Sequence, residues 1–186
     1  MQTLSKEEIN GQIKQSIKRG SVFIHPTDTI YGLGCNAILH NSVAKIRDIK
    51  DRQDKPFSVI APSKKWIYEN CEIDEEAERW IDKLPGPYTL ILKLKNKECI
   101  APNINSGLGT LGVRIPDHWF SRIVEEVGYP VVTTSANIVN QNFMTSIDDL
   151  DPKIQGRVDF AIYEGEKKGS PSNLVDLTKN LQVIER

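Results

Sequence analysis

The sequence predicts an α/β fold built on a single mixed sheet. Short apolar runs alternate with amphipathic stretches of helical period, which is the signature of strands connected by crossover helices. Some apolar runs also follow one another with only turn residues between them, so part of the sheet must be antiparallel. Several of the predicted strands open or close on a cluster of small polar residues or an arginine, where loops of an open α/β sheet converge.

The elements follow in order. Ser5 with Glu8 three residues on forms a capping box, which predicts a helix to about Arg19, ended by Gly20. SVFI (21–24) reads as a buried strand, and HPTDTIYGLGCNA (25–37) as the polar stretch after it. SVAKIRDI (42–49) carries apolar residues at helical spacing. FSVIA (57–61) is a strand, and Ser63 caps a short helix through Tyr68. DEEAERWIDKL (74–84) opens acidic and is amphipathic, hence a helix, and PGP (85–87) breaks it. YTLILKLK (88–95) and LGVRI (111–115) are strands, and DHWFSRIVEEVG (117–128) is a helix closed by glycine. PVVTTSA (130–136), VDFAIY (158–163), NLVDLT (173–178) and a short LQVIE (181–185) complete the strands.

The 186 residues suit one domain, 1–186, with no repeat or linker. Lys and Arg total 24 against 25 Asp and Glu, so no overall basic excess advertises nucleic acid. Cys35, Cys71 and Cys99 stand far apart without metal-ligand spacing, as free thiols of a reducing compartment do. The N-terminus is polar, and no apolar run approaches the roughly 20 residues that cross a bilayer. A cytoplasmic protein with no membrane association is expected.

The polar clusters are PTDTIYG (26–32), KDR (50–52) followed by KPFSVI (55–60), SGLGT (106–110) ahead of Arg114, TTSAN (133–137) and GSPS (169–172). Hydroxyls and backbone N–H groups donate to phosphate oxygens, and Lys or Arg balances their charge, so together these suit a polyanion. Each alone also fits a simpler role. PTDT with YGLG fits a hydrogen-bonded turn, KDR a partner of a helix C-terminus, and TTSAN a turn with a cap. Arg114 is harder to explain that way, because an Arg inside a short apolar strand is rarely buried unpaired. No Walker motif, GxGxxG, HExxH or GxSxG is present, and His25, His40 and His118 are scattered. A site of donors and cations without a covalent nucleophile suits catalysis by positioning and electrostatics, as in phosphoryl or nucleotidyl transfer.

The order PTDTIYGLGC, KDR…KPFSVI, PGPYTLIL, LGVRIPDH, VVTTSAN and SNLVDLT resembles the YrdC-like family of threonylcarbamoyl-AMP synthases, from about Val22 to Arg186. The resemblance implies a YrdC-like twisted mixed sheet with flanking helices around a deep ligand cavity. It implies ATP-dependent joining of L-threonine and bicarbonate into threonylcarbamoyl-AMP with release of pyrophosphate. On that resemblance the threonine amine would capture CO2 as a carbamate, and a carbamate oxygen would displace pyrophosphate from the α-phosphorus. ATP would be a substrate, Mg2+ would travel with the nucleotide, and no protein metal site is expected. The implied partner is the transferase that passes the group to the adenine beside the anticodon of tRNA; weak tRNA binding would be compatible with this.

Carried over residue by residue, the resemblance implies that PTDT (26–29) and Tyr31 line the threonine pocket, with threonine contacts from Thr29, Tyr31, Arg114, Thr133 and Ser172. ATP contacts would come from Lys50, Arg52, Lys55, Thr110, Ser135, Asn137 and Arg186, with Lys50 and Arg52 on the reacting phosphates. The glycines of YGLG would let backbone approach ligand closely. Four positions depart from the family pattern: Gln53 for the proline of KxRP, Val139 and Asn140 for the Ser and Gly of SANxSG, and Asn173 for the Thr of STxVDLT. Rival readings are an RNA-binding module, a sister paralogue with other activity, and carbamoyl-adenylate chemistry. Aromatics of only 7% speak against the first, retention of KxR and SAN against the second, and the lack of zinc-finger and acylphosphatase parts against the third.

Overall fold

The computed structural model describes residues 1–179 and 181–185. The elements in chain order are β1 (Gln2–Leu4), α1 (Gly11–Arg19), β2 (Phe23–His25), β3 (Gly32–Gly34), α2 (His40–Lys50), β4 (Ser58–Ile60), α3 (Lys64–Asn70), α4 (Glu75–Asp82), β5 (Tyr88–Lys93), β6 (Thr110–Arg114), α5 (Phe120–Val127), β7 (Val131–Ser135), α6 (Pro152–Gln155), β8 (Phe160–Ile162), β9 (Asn173–Asp176) and β10 (Gln182–Ile184). Among the described residues the strands form one ten-stranded sheet in the order β1-β8-β2-β3-β7-β4-β6-β5-β9-β10. Parallel pairs (β1–β8, β2–β8, β4–β6, β5–β9) mix with antiparallel ones (β2–β3, β3–β7, β4–β7, β5–β6, β9–β10), as expected for a mixed α/β sheet.

Strand alternation divides the core between the two faces. Ile24, Leu33, Val59, Leu111, Val113 and Val132 belong to the larger apolar cluster, with Val43, Ile46, Ala77 and Ile81 of α2 and α4. Phe23, Ile60, Val131, Phe160 and Ile162 point the other way and pack with Ile17 of α1 and Phe120, Val124 and Val127 of α5.

Four expectations change. The capping box is present, with Glu8 accepting from the Ser5 N–H at 2.7 Å, but it closes only a 3-10 turn over Lys6–Glu8. The helix proper starts at Gly11, because the Asn10 side chain accepts from the N–H groups of Gln12 and Ile13 and caps a new start. Gln2–Leu4, not predicted, pairs with β8 at the sheet margin. The helix expected from Asp117 starts at Phe120, after a turn in which the His118 N–H reaches the Pro116 carbonyl. Lastly, Gly32–Gly34 is a central strand rather than a loop, between β2 and β7.

The sheet itself needs those glycines, whatever ligand approaches them. A Cβ on Gly32 would lie 2.7 Å from the His25 ring, and one on Gly34 2.7 Å from the Val132 carbonyl oxygen. His25 is fully buried, stacked on Phe120 with ring centroids 4.8 Å apart, and fills the space that the two missing side chains leave.

Candidate active site

Residues two apart on a strand share a face, so Val131, Thr133 and Ser135 of β7 form one row, and Ile60 and Ser58 of β4 another. Val131 and Ile60 lie under α5 in the smaller core cluster. One step along each strand the row turns small and polar, and there the sheet floors a pocket instead of a core. Ser58 pairs with both Thr133 and Gly112, and Gly32 pairs with Ser135, so small residues sit side by side across four strands. The pocket has a volume of about 170 Å3. Its walls include Tyr31, Arg52, Thr89, Arg114 and Ser172. A neighbouring cavity of about 560 Å3 is lined by Asn137, Gln141, Thr145 and Asp149, and Phe143 borders both.

Of the expected threonine contacts, Tyr31, Arg114, Thr133 and Ser172 line the first pocket. Thr29 does not; its neighbour Thr27 takes that position, and Thr29 Oγ1 lies 2.9 Å from Thr27 Oγ1 and accepts from Arg114 at 3.3 Å. Tyr31 is held at its tip, where the hydroxyl donates to the Gly165 carbonyl at 2.6 Å and accepts the Glu164 N–H at 3.1 Å. Burial pushes this phenol up to about 12. Ser172 Oγ is 2.7 Å from Thr89 Oγ1, both side chains being buried. Arg114 forms an ion pair with Asp28 at 2.6 Å.

Of the expected nucleotide contacts, Arg52 and Ser135 line the first pocket and Asn137 the second. Arg52 lies over the Phe57 ring and donates to the Pro56 carbonyl at 2.6 Å. Lys50 lines neither; its ammonium is buried and donates to the carbonyls of Ser135 (2.5 Å) and Asn137 (2.7 Å) and to Asn137 Oδ1 (3.0 Å). Burial, with the Arg52 charge nearby, pushes Lys50 down to about 7, while the three oxygens favour the charged form. Lys50 thus fixes the loop after β7, where Ser135 Oγ also donates to Asn137 Oδ1 at 2.6 Å. Lys55 is exposed and Thr110 stands at the start of β6 opposite Lys93, both outside the two cavities. Arg186 lies outside the described residues.

One of the departures has a local physical account. Asn140, where the resemblance expects glycine, takes φ +66°, a left-handed conformation that Asn tolerates better than most residues. Asn173 opens β9 opposite Tyr88 with its backbone N–H on the Pro87 carbonyl at 3.0 Å, a bond that Thr would make equally, so the structure does not explain the choice of Asn there.

Motif reading placed the PTDT stretch at the threonine pocket but singled out Thr29 where Thr27 lines it, and it gave Asp28 no role of its own; it missed Ser58, Thr89 and Phe143, which line the cavities. It also missed Arg47, which holds others in place. Arg47 is buried on α2 and donates to five carbonyls: Asn103 (2.8 Å), Arg52 (3.0 Å), Gln53 (2.8 Å), Lys55 (3.2 Å) and Ile104 (3.2 Å). Its guanidinium also covers the Phe57 ring. The available signal was a lone Arg at the core-facing spacing of an amphipathic helix.

The fold and pocket define an α/β protein whose mixed sheet carries a small, donor-lined pocket on one face. The particular lineage is clear, because the model of the Sua5/YciO/YrdC family, described as "Telomere recombination", matches residues 15–186. The chain belongs to this family. It is 36% identical over 170 residues to a Methanocaldococcus jannaschii protein provisionally named a threonylcarbamoyl-AMP synthase, covering 89% of this chain and 78% of that one. It is 34% identical over 175 residues to the threonylcarbamoyl-AMP synthase of Pyrococcus abyssi, covering 91% of this chain but only 51% of the relative. The crystal structure of P. abyssi Sua5 complexed with L-threonine superposes with a TM-score of 0.86 at 30% identity, over 98% of this chain and 56% of that one. Among the described residues no helix is long and apolar enough to cross a membrane.

Proposed function

We propose that this chain is an ATP-dependent L-threonylcarbamoyl-AMP synthase that supplies the activated group for threonylcarbamoyl modification of tRNA beside the anticodon. The observation that carries the reading is the likeness, over 98% of the chain, to a relative crystallised with L-threonine, together with a pocket in which Arg114 meets Thr133, Ser172 and Tyr31. A carboxylate suits the guanidinium, and hydroxyls suit the rest of a small polar amino acid. Bicarbonate supplies CO2, which the threonine amine takes up as a carbamate with loss of a proton. A carbamate oxygen then bonds to the α-phosphorus of ATP as the bond to the bridging oxygen breaks, and pyrophosphate leaves.

The first pocket is smaller than the roughly 300–1,000 Å3 clefts that hold drug-sized ligands. In this reading the amino acid fills it, and the nucleotide extends past Phe143 into the second cavity. Arg52, at the first pocket, neutralises phosphate charge, and Mg2+ enters with the nucleotide. Lys50 holds the carbonyls of the loop between the cavities, which keeps its charge beside the phosphates' path. The adenylate then passes to a transferase acting on tRNA.

The test is pyrophosphate release from ATP in the presence of bicarbonate and each amino acid in turn, with mass detection of the adenylate. Release that requires both bicarbonate and threonine is expected. Equal release without threonine would sink the synthase reading.

A further inference from the structure

Asp28 lies in the turn between β2 and β3, next to the pocket but not among its lining residues. Its carboxylate is used on both sides. Oδ1 accepts from Arg114 at 2.6 Å, and Oδ2 accepts the backbone N–H of Asp117 at 2.9 Å, in the segment that links β6 to α5. The same Arg114 nitrogen reaches Thr29 Oγ1 at 3.3 Å, and the Thr27 hydroxyl, 2.9 Å from Thr29 Oγ1, donates to the Ile30 carbonyl at 2.8 Å. The side chains of Arg114 and Asp28 are only 6% and 11% exposed. The guanidinium is thus held against the turn before β3, and Asp28 ties that turn to the backbone three residues beyond Arg114.

An arginine side chain has several rotatable bonds, and a buried cation without its counter-charge moves toward water. We propose that Asp28 is a positioning residue for amino-acid recognition: by tying Arg114 to the Asp117 N–H, it aims the guanidinium at the carboxylate of the amino-acid substrate. This rests on the synthase reading above. A rival effect has the opposite sign, since a carboxylate at 2.6 Å also offsets the guanidinium charge and would weaken its hold on a second carboxylate. Geometry is favoured because one Asp28 oxygen takes the Arg114 side chain and the other takes backbone three residues further on, so the carboxylate fixes the guanidinium and the end of β6 together, which a mere counter-charge does not require. Asn in its place has one acceptor oxygen and an NH2, so it cannot accept from both Arg114 and the Asp117 N–H in the same way.

The experiment compares wild type with Asp28→Asn and Asp28→Ala in the full chain, measuring melting temperature, pyrophosphate release against threonine and against ATP, and threonine binding by calorimetry without nucleotide. The expected result is a rise of about tenfold or more in KM and Kd for threonine, a much smaller change in kcat and in KM for ATP, and a larger effect for Ala than for Asn. Unchanged threonine KM and Kd, with or without a lower melting temperature, would leave Asp28 at most a structural residue and overturn the proposal. A KM that falls would identify charge offset as the dominant effect and overturn it as well. Variants that do not fold are replaced by Asp28→Glu, for which an unchanged threonine KM counts against the proposal in the same way. If wild type neither binds threonine nor uses it, the synthase reading itself fails, and this inference fails with it.

Discussion

Arg47 touches neither pocket, yet it gathers the carbonyls of Arg52, Gln53 and Lys55 with those of Asn103 and Ile104. One guanidinium on α2 thus holds three carbonyls of the loop that follows it. Lys has three donors on one atom and cannot span five acceptors. Arg47→Lys is expected to lower stability by about 2–3 kcal/mol, to speed amide exchange over residues 52–56, and to raise KM for ATP more than KM for threonine. Chemical denaturation, hydrogen exchange and substrate titration check these separately. Unchanged exchange in the loop would remove the assigned role.

Among the elements, β3 shows how a strand of two glycines and a leucine can lie in the middle of a sheet. Glycine weakens strands, and GLG carries little intrinsic preference for one. It is a strand because β2 and β7 pair with it on both sides and because the His25 ring occupies its bare face. Gly34→Ala would push a methyl group to 2.7 Å from the Val132 carbonyl oxygen, which is backbone of the neighbouring strand and cannot rotate away. A loss of about 1–3 kcal/mol is expected, measured by thermal or urea denaturation. Alanine at Gly11 meets nothing within 4 Å and serves as the control. The helices are easier to read than β3, because capping and periodicity are local. Gly20, at φ +101°, and Gly128, at φ +79°, end α1 and α5 at the positions where a glycine after an amphipathic run predicts a stop.

For the molecule as a whole, burial of His25 couples the fold to pH. Burial pushes this imidazole down to about 3 from the ordinary 6.5, with Arg114 and His118 adding to the repulsion. Its Nδ1 lies 3.3 Å from the Pro26 carbonyl, which it serves as donor. Between those two values the folded state stays unprotonated while the unfolded state takes up a proton. Stability is full above the unfolded value and falls as the pH drops below it, by about 1.4 kcal/mol per pH unit once well below 6.5. His118 is also lowered, chiefly by burial, and contributes in the same direction. Denaturation between about pH 6.5 and 5, above the range where ordinary carboxylates titrate, is expected to show this slope in wild type and a shallower one in His25→Asn. Equal slopes would remove His25 as the cause.

Amphipathic period, caps and breakers act over a few residues, so the class of fold, most helices and strands to within a few residues, and the polar clusters can all be read along the chain. Motif resemblance further picks out Tyr31, Arg52, Arg114, Thr133, Ser135 and Ser172, which do come together at one pocket. Three dimensions were needed to see which neighbour faces that pocket, Thr27 rather than Thr29, and that Lys50 is committed to the carbonyls of the loop after β7. The same holds for the row Ser58, Gly112, Thr133, which belongs to three strands far apart in the chain and becomes a floor through sheet register alone. The Asp28–Arg114 pair likewise spans 86 positions. Such contacts depend on which strands pair and which face each side chain takes, and no local pattern in the chain specifies either.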